Sequence, residues 1–348
     1  MEENNSIYKT IRVRSVVEEL ENFHTIVFEE GHDISYSPGQ YLTLVRFEGG
    51  EDVRRSYSIT SSPALNEPLA IGVKRVDNGM LSRILVDLVK PGDELTTIGA
   101  GGFFVLPSDI DNYEQVFYFA AGAGITPAFS MIKTALHAHR HLSVVLVYSN
   151  ASPDKTIFRS ALIQLQQQFP DQFTLKFHFS NSQYLAEARL NRELIISYLE
   201  KLVKGKKDKT MFYTCGPESY MRLCVYTLQA EGIEPQKIRK ENFYLTDVEK
   251  RDSAPPDKND RQAVIRFGST LMNFTVNYPD SILKAAKKAG FRLPYSCEAG
   301  RCGNCVARCT KGAVWHSYNE VLTEKELSQG LILTCVGHPN GGDIELEI

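Results

Sequence analysis

Four cysteines near the end of the chain carry its most distinctive chemistry. Cys297, Cys302 and Cys305 follow a C-x4-C-x2-C spacing in PYSCEAGRCGNC, and Cys335 stands well downstream in LILTCVGHP. Three thiolates from one tight loop and a fourth from a separate segment are what a plant-type [2Fe–2S] cluster takes. Gly300 and Gly303 let the backbone curl around a small inorganic core and aim its N–H groups at sulfur. Such a chain handles single electrons. A structural zinc site also uses four cysteines, usually as two C-x2-4-C pairs, and only Cys302/Cys305 has that form. Disulfides fit less well, because MEENNSIYKT has no charged-then-apolar leader pointing to an oxidising compartment. Cys309, in the strand expected after the loop, and Cys224, in an apolar helical stretch, read as small apolar residues.

A second group of residues suits a phosphate-bearing, flat ligand. Arg55-Ser56-Tyr57-Ser58 lies in a strand pattern, with Arg55 and Tyr57 on one face and Ser58 on the other or at a bend. An Arg clamps phosphate and a Tyr ring stacks on a flat cofactor, although a solvated Arg and a core Tyr explain the same residues. Gly79-Met80-Leu81-Ser82 opens a helix whose free N–H groups suit a pyrophosphate. Equally, Ser82 bonds its own backbone there. GAGITP (122–127) and Cys215-Gly216-Pro217 each sit where a strand gives way to a helix. Ligands gather at such strand ends, and two of them on one sheet favour a shared ligand. The plain readings are a Gly-rich turn and a buried Cys215.

These residues need elements to hold them. Residues 1–108 run as short strand patterns, among them TIRVRSVVEE, FHTIVFEE, QYLTLVRF, RRSYSIT and PLAIGVKRV, interrupted by one helix, MLSRILVDLV. That spacing predicts a β-barrel or sandwich. Residues 109–248 alternate strands with longer helices, one of them KTIFRSALIQLQQQF, which predicts a parallel α/β sheet. Residues 249–261, EKRDSAPPDKNDR within that run, are charged and proline-containing and read as an exposed tether. Residues 262–348 open with AVIRF, LMNFTV and SILKAAKKAG, the pattern of a small α+β domain around the cysteine loop.

Composition sets the outer limits. The chain has 348 residues, a net charge of −3 and no basic stripe, which argues against nucleic-acid binding. Its longest apolar stretch, around VFYFAAGAGITPAF, is too short and glycine-rich to span a bilayer. The expectation is a cytoplasmic protein without membrane insertion.

Taken together the motifs resemble the ferredoxin–NADP reductase superfamily fused to a plant-type ferredoxin domain, over nearly the whole chain. Within it the chain is similar to the reductase subunits of phenylacetyl-CoA epoxidases and related oxygenases. The resemblance implies an NAD(P)H-dependent oxidoreductase that passes electrons through FAD and the [2Fe–2S] cluster to an oxygenase component. It implies that Arg55, Tyr57 and Ser58 bind flavin, with Ser58 near its reactive edge, joined by Val73 and Lys74. It implies that Gly79, Met80, Leu81 and Ser82 hold the FAD pyrophosphate. Gly122, Gly124, Thr126, Pro127, Cys215, Gly216 and Pro217 then line the nicotinamide site, with Thr126 and Cys215 nearest the hydride. Glu241-Asn242-Phe243 matches the segment that closes the flavin site.

Three features depart from many relatives. Ser149-Asn150-Ala151-Ser152 and Ser180-Asn181 replace arginines that pair with the 2′-phosphate of NADP. Arg159 or Arg189 could substitute, so NADPH and NADH both stand as donors. Residues 262–348 hold nine Lys/Arg and eight Asp/Glu, without the strong acidity of free plant ferredoxins. A tethered domain has a high local concentration at its own flavin and needs no charge steering. Other receivers considered are a fatty-acyl desaturase, a haem oxygenase and small diffusible acceptors, and a cluster that only senses redox state is a further class.

Overall fold

The structure is a computed structural model that describes residues 7–49, 51–205, 207–243 and 254–348. Its N-terminal strands are β1 (Lys9–Leu20), β2 (Phe23–Phe28), β3 (Tyr41–Glu48), β4 (Glu51–Ser58), β5 (Ala70–Lys74) and β6 (Glu94–Gly101), with α1 (Met80–Asp87) between the last two. They form one sheet in the order β4-β3-β6-β1-β2-β5. A bridge from Ile59, just past β4, to Ile71 on β5 joins its two edges into a barrel. Alternation explains the strands: Ile11 and Val13 of β1 point inward while Thr10, Arg12 and Arg14 face water. Ile26, Phe28, Leu42, Leu44, Ile71 and Val73 complete that interior, and Leu81 and Leu85 of α1 close it.

The middle of the chain builds β7 (Gln115–Ala121), α2 (Ile125–Ala138), β8 (Ser143–Asn150), α3 (Arg159–Gln168), β9 (Phe173–Phe179), the short α4 (Leu185–Ala188), α5 (Arg192–Leu202), β10 (Thr210–Cys215), α6 (Glu218–Ala230) and β11 (Ile238–Glu241). All neighbouring strands are parallel, in the order β11-β10-β7-β8-β9. β7 is buried throughout, as a central strand covered on both faces must be. α2 and α3 pack against Val116, Tyr118 and Leu146, while α5 and α6 pack against Phe117, Phe119 and Val145. The sequence pattern extends the third helix back to Lys155. The helix instead starts at Arg159, because Phe158 turns into the left-handed region at φ 56° and stacks on Phe129, with ring centroids 4.3 Å apart. Barrel and parallel sheet make one unit of residues 10–100 and 104–243, and Phe23 of β2 joins the same cluster as the α2 face.

The second unit gathers 254–348 with residues 7–9 and 101–103. It contains β12 (Arg261–Phe267), β13 (Thr270–Val276), α7 (Ile282–Lys288), β14 (Val306–Lys311), β15 (Val314–His316), α8 (Glu324–Ser328), β16 (Leu331–Leu333), β17 (Gly337–Pro339) and β18 (Ile344–Glu347). Five strands form a mixed sheet, β13-β12-β18-β14-β16, in which only β12 and β18 run parallel. Ile282, Leu283, Ala285 and Ala286 of α7 fill its core. Ser281 caps that helix by accepting from Lys284 N at 3.3 Å.

The segment expected as a tether is mostly exposed where it is described, but parts of it are held. Of the charged segment 249–261, residues 249–253 lie outside the described residues, and the remainder is not a free tether. Pro255 is buried, and Asp257 accepts from Asn259 N (3.0 Å), Arg261 Nε (2.9 Å) and Gly341 N (2.9 Å). Composition reads Asp257 and Arg261 as solvated, while folding pairs them with each other and ties Asp257 to Gly341. Among the described residues no helix is long and apolar enough to cross a membrane.

Candidate functional site

The flavin candidates sit around the end of β4. Arg55 is exposed, paired in register with Leu44, and its Nη1 donates to the Arg54 carbonyl at 2.7 Å. Its neighbour Arg54 is buried in an ion pair with Asp52 at 2.6 Å, so Arg55 is the cation that faces outward. Tyr57 packs beside the barrel interior, and burial pushes its phenol pKa well up despite the nearby Arg55 cation. Ser58 is buried, and its hydroxyl has no partner among the described residues. An orphaned buried hydroxyl costs stability unless something fills the site, which fits a bound cofactor. Val73 spends its side chain on the barrel core, leaving only its backbone for a ligand, whereas Lys74 is exposed. Met80 is exposed and Leu81 is buried in the barrel. The Ser82 hydroxyl accepts from Val76 N at 3.2 Å and lies within the van der Waals radius of any Cβ placed on Gly79. Ser82 therefore shapes the turn, and the helix N–H groups of Met80 to Ser82 are what remains for a phosphate.

The nicotinamide candidates meet at the C-terminal ends of β7 and β10. A Cβ on Gly124 would fall inside contact distance of the Cys215 carbonyl, and one on Gly216 would lie 2.9 Å from Ala121 Cβ. Only glycines allow these two strand ends to touch. Pro127 fits the first turn of α2, where its missing N–H is no loss. The Thr126 hydroxyl donates to the Ala123 carbonyl at 2.9 Å, so the local backbone uses it. Cys215 is buried, and burial first, then Glu241, drives its thiol pKa well up, keeping it a neutral thiol. Pro217 caps α6, and Phe243, past the end of β11, is exposed.

Three residues emerge that sequence pattern did not mark or marked only weakly. Tyr148 of β8 is fully buried and donates to the Gly122 carbonyl at 2.9 Å, and Tyr220 of α6 donates to the Ala120 carbonyl at 3.1 Å. They pin the turn from both sides, and nothing local in the sequence announces it. Glu241 is the register partner of Cys215. Its Oε2 is shut away from water without a hydrogen-bond partner among the described residues, although the rest of the residue is partly accessible. Burial pushes its carboxyl up to about 8. The Ser149-Asn150 end of β8 is equally bare: Ser149 Oγ and Asn150 Nδ2 are buried and unpartnered among the described residues.

Gly72 of β5 joins the two halves. A Cβ there would stand 2.9 Å from Thr126 Cγ2 and 3.1 Å from Thr60 Cγ2. Thr60, just past the end of β4, and Thr126, at the start of α2, therefore crowd the same face of Gly72, which only a glycine leaves open.

In the second unit the four expected cysteines come together as free thiols. Cys305 and Cys335 sulfurs are 3.2 Å apart, far beyond the ~2.05 Å of a disulfide. Cys297 and Cys302 make the other pair, and the Cys302 hydrogen bond, helped by backbone N–H groups of Ala299, Arg301 and Cys302, draws the Cys297 thiol down to about 6. Cys305 is likewise lowered by its bond to Cys335. No three His, Cys, Asp or Glu side chains among the described residues converge on a single ion. The sulfurs thus come two by two. A lone zinc needs four donors on one point, while a two-iron cluster takes two thiolates per iron. The loop leaves no room for side chains: a Cβ on Gly300 would lie 2.9 Å from the Tyr318 carbonyl, and one on Gly303 2.8 Å from the Phe103 ring. Cys309 stands apart on β14, 3.3 Å from the Lys311 carbonyl.

Comparison with known proteins identifies the domains along the chain. Residues 9–105 match an oxidoreductase FAD-binding domain, 119–225 an oxidoreductase NAD-binding domain, and 269–340 a 2Fe-2S iron-sulfur cluster binding domain. The chain is 32% identical over 351 residues to the ferredoxin reductase component of 3-ketosteroid-9-alpha-monooxygenase from Mycobacterium tuberculosis, covering 97% of this chain and 94% of that one. It is 28% identical to one of the subunits of 1,2-phenylacetyl-CoA epoxidase from Escherichia coli, covering 98% and 97%. The solved structure of phthalate dioxygenase reductase shares the fold over 98% of both chains, at 22% identity and a TM-score of 0.59.

Proposed function

The chain belongs to the ferredoxin–NADP reductase superfamily, in the branch that joins FAD- and NAD-binding domains to a C-terminal [2Fe–2S] domain, and from that membership we propose how its residues divide the work. It is an NAD(P)H-dependent oxidoreductase that carries electrons through FAD and [2Fe–2S]. When bound, FAD accepts the nicotinamide's electron pair and the cluster relays electrons singly. Arg55 neutralises flavin phosphate, with the N–H groups at the start of α1 and the exposed Lys74 beside it. Tyr57 supports the flavin ring, and the orphaned Ser58 hydroxyl bonds its reactive edge. Gly122 to Pro127 and Cys215 to Pro217 hold the nicotinamide half of the donor, and Phe243 covers the flavin until the donor enters. Cys215 and Glu241 stay largely uncharged near neutral pH, so these strand ends offer the nicotinamide a neutral surface and orient it by shape and backbone groups. Cys297, Cys302, Cys305 and Cys335 ligate the cluster, and the receiver is an oxygenase component, as the names of the relatives suggest.

The observation that carries this reading is the two-by-two convergence of the four thiols in a chain whose other unit holds two nucleotide-type strand ends. The purified protein should be brown-yellow, with flavin bands over broad cluster absorption. Anaerobic addition of NADH or NADPH should bleach both, and the faster donor names the physiological one. Bleaching of flavin alone would remove the cluster from the path.

A further inference from the structure

α2 starts at the nicotinamide end, and one turn later it presents Ser130, Lys133 and Thr134 on a single stripe. All three are buried, and all three bond the segment that continues from the flavin strand β4. Ser130 Oγ donates to the Ser61 carbonyl at 2.5 Å, and the hydroxyls of Ser62 and Thr134 share a hydrogen bond at 2.7 Å. Lys133 is ion-paired with Glu67. The receiving segment is itself braced: Glu67 Oε2 accepts from Ser62 N at 2.7 Å, and Ser61 Oγ is held by the Tyr36 hydroxyl (2.7 Å) and Ala70 N (3.0 Å). Lys133 also lies 4.7 Å from the Phe129 ring centroid, and Phe129 is tied through Phe158 to Phe23 of the barrel.

This joint is an odd choice for stability alone. Desolvating a Lys–Glu pair roughly cancels its attraction, and well-packed apolar residues usually stabilise as much or more. Its benefit is geometric: hydrogen bonds and an ion pair fix one relative position, where an apolar face allows sliding. Ser61 is three residues from Ser58, and Ser130 is one helical turn from Thr126, so the joint is rigidly linked to both reacting sides.

We propose that the Glu67–Lys133 pair, with Ser61–Ser130 and Ser62–Thr134 beside it, is a latch that sets the distance between flavin edge and nicotinamide, making Glu67 and Lys133 positioning residues for hydride transfer. The inference rests on the site assignment above. The step is unchanged: reduced nicotinamide loses a hydride with both its electrons, and oxidised flavin gains it. A misplacement of about 1 Å at such a step costs on the order of a hundredfold in rate.

The test uses the full-length, FAD-loaded protein carrying Lys133→Met with Glu67→Gln. That double change leaves no unpaired buried charge, and Gln still accepts from Ser62 N. Stopped-flow flavin reduction at saturating NADH and NADPH, with the transferred hydrogen as protium or deuterium, is compared with NAD+ binding by calorimetry, FAD content and thermal melting. We expect FAD content, melting and NAD+ affinity close to wild type, a hydride-transfer rate constant lower by about ten- to a hundredfold, and a larger isotope effect. Lys133→Arg, which keeps the charge, should recover most of the rate. A rate within about twofold of wild type overturns the latch, as does a loss that only tracks missing FAD or weakened NAD+ binding. Wild-type protein whose flavin neither donor reduces would instead refute the site assignment itself.

Discussion

At the scale of single residues, burial does most of the chemical tuning. Glu241 has no partner for Oε2 among the described residues, and its carboxyl rises to about 8 from an ordinary value of 4.5. The folded chain therefore binds a proton there that the unfolded chain has released. The stability this contributes is complete below about pH 4.5 and is lost as pH rises towards 8. Glu241→Gln removes that dependence. Melting temperatures of the two proteins should agree near pH 4.5 and diverge in favour of the glutamine variant by pH 8; parallel curves would mean the carboxyl is not buried. The sequence carried half of this site. The cysteines stand out by type and spacing, whereas Arg55 and Tyr57 read locally as a solvated Arg and a core Tyr and become flavin candidates only through the family resemblance. Glu241 opposite Cys215 and the Tyr148 bond to Gly122 are register contacts between strands, and no local pattern encodes them.

At the scale of elements, the strand-to-helix turns are the parts least tolerant of mass. Gly124→Ala drives a methyl into the Cys215 carbonyl and separates β7 from β10 at the donor site. Overpacking of this kind costs about 1–3 kcal/mol. We expect the KM for NAD(P)H to rise about tenfold or more while FAD content is retained, read by steady-state ferricyanide reduction and flavin absorbance. An unchanged KM would show that the two turns do not share a ligand. Most strands and helices were legible here because hydrophobic alternation and helical spacing are strong in β1, β7 and α2. The start of α3 was not: Thr156-Ile157-Phe158 looks helical, yet Phe158 leaves the helix to stack on Phe129, a contact made from a distant part of the chain.

At the scale of the whole chain, each unit has its own apolar core, so losing one chemistry need not cost the other. Cys335→Ser exchanges a thiolate for a hydroxyl that ligates iron poorly. The variant should lack the broad cluster absorption and its low-temperature EPR signal. Flavin reduction by NAD(P)H should stay within about twofold of wild type, since independent sites act additively. If flavin reduction collapsed as well, the stations would not be separable. The three-part organisation was legible from rhythm and composition, down to the α+β character of the last part. Its starting point was not, because composition scores Asp257 and Arg261 as solvated charges and cannot see Gly341.

That last contact bears on transplantation. A protein engineer who wishes to graft this iron–sulfur module onto another flavoprotein would, from composition, cut after Arg261. The amide of Gly341 is then left without its carboxylate, Arg261 is lost as the first residue of β12, and Pro255 leaves the site where it is buried. The transplantable piece starts no later than Ala254, and its seam is drawn by one aspartate clasping a turn eighty-four positions away.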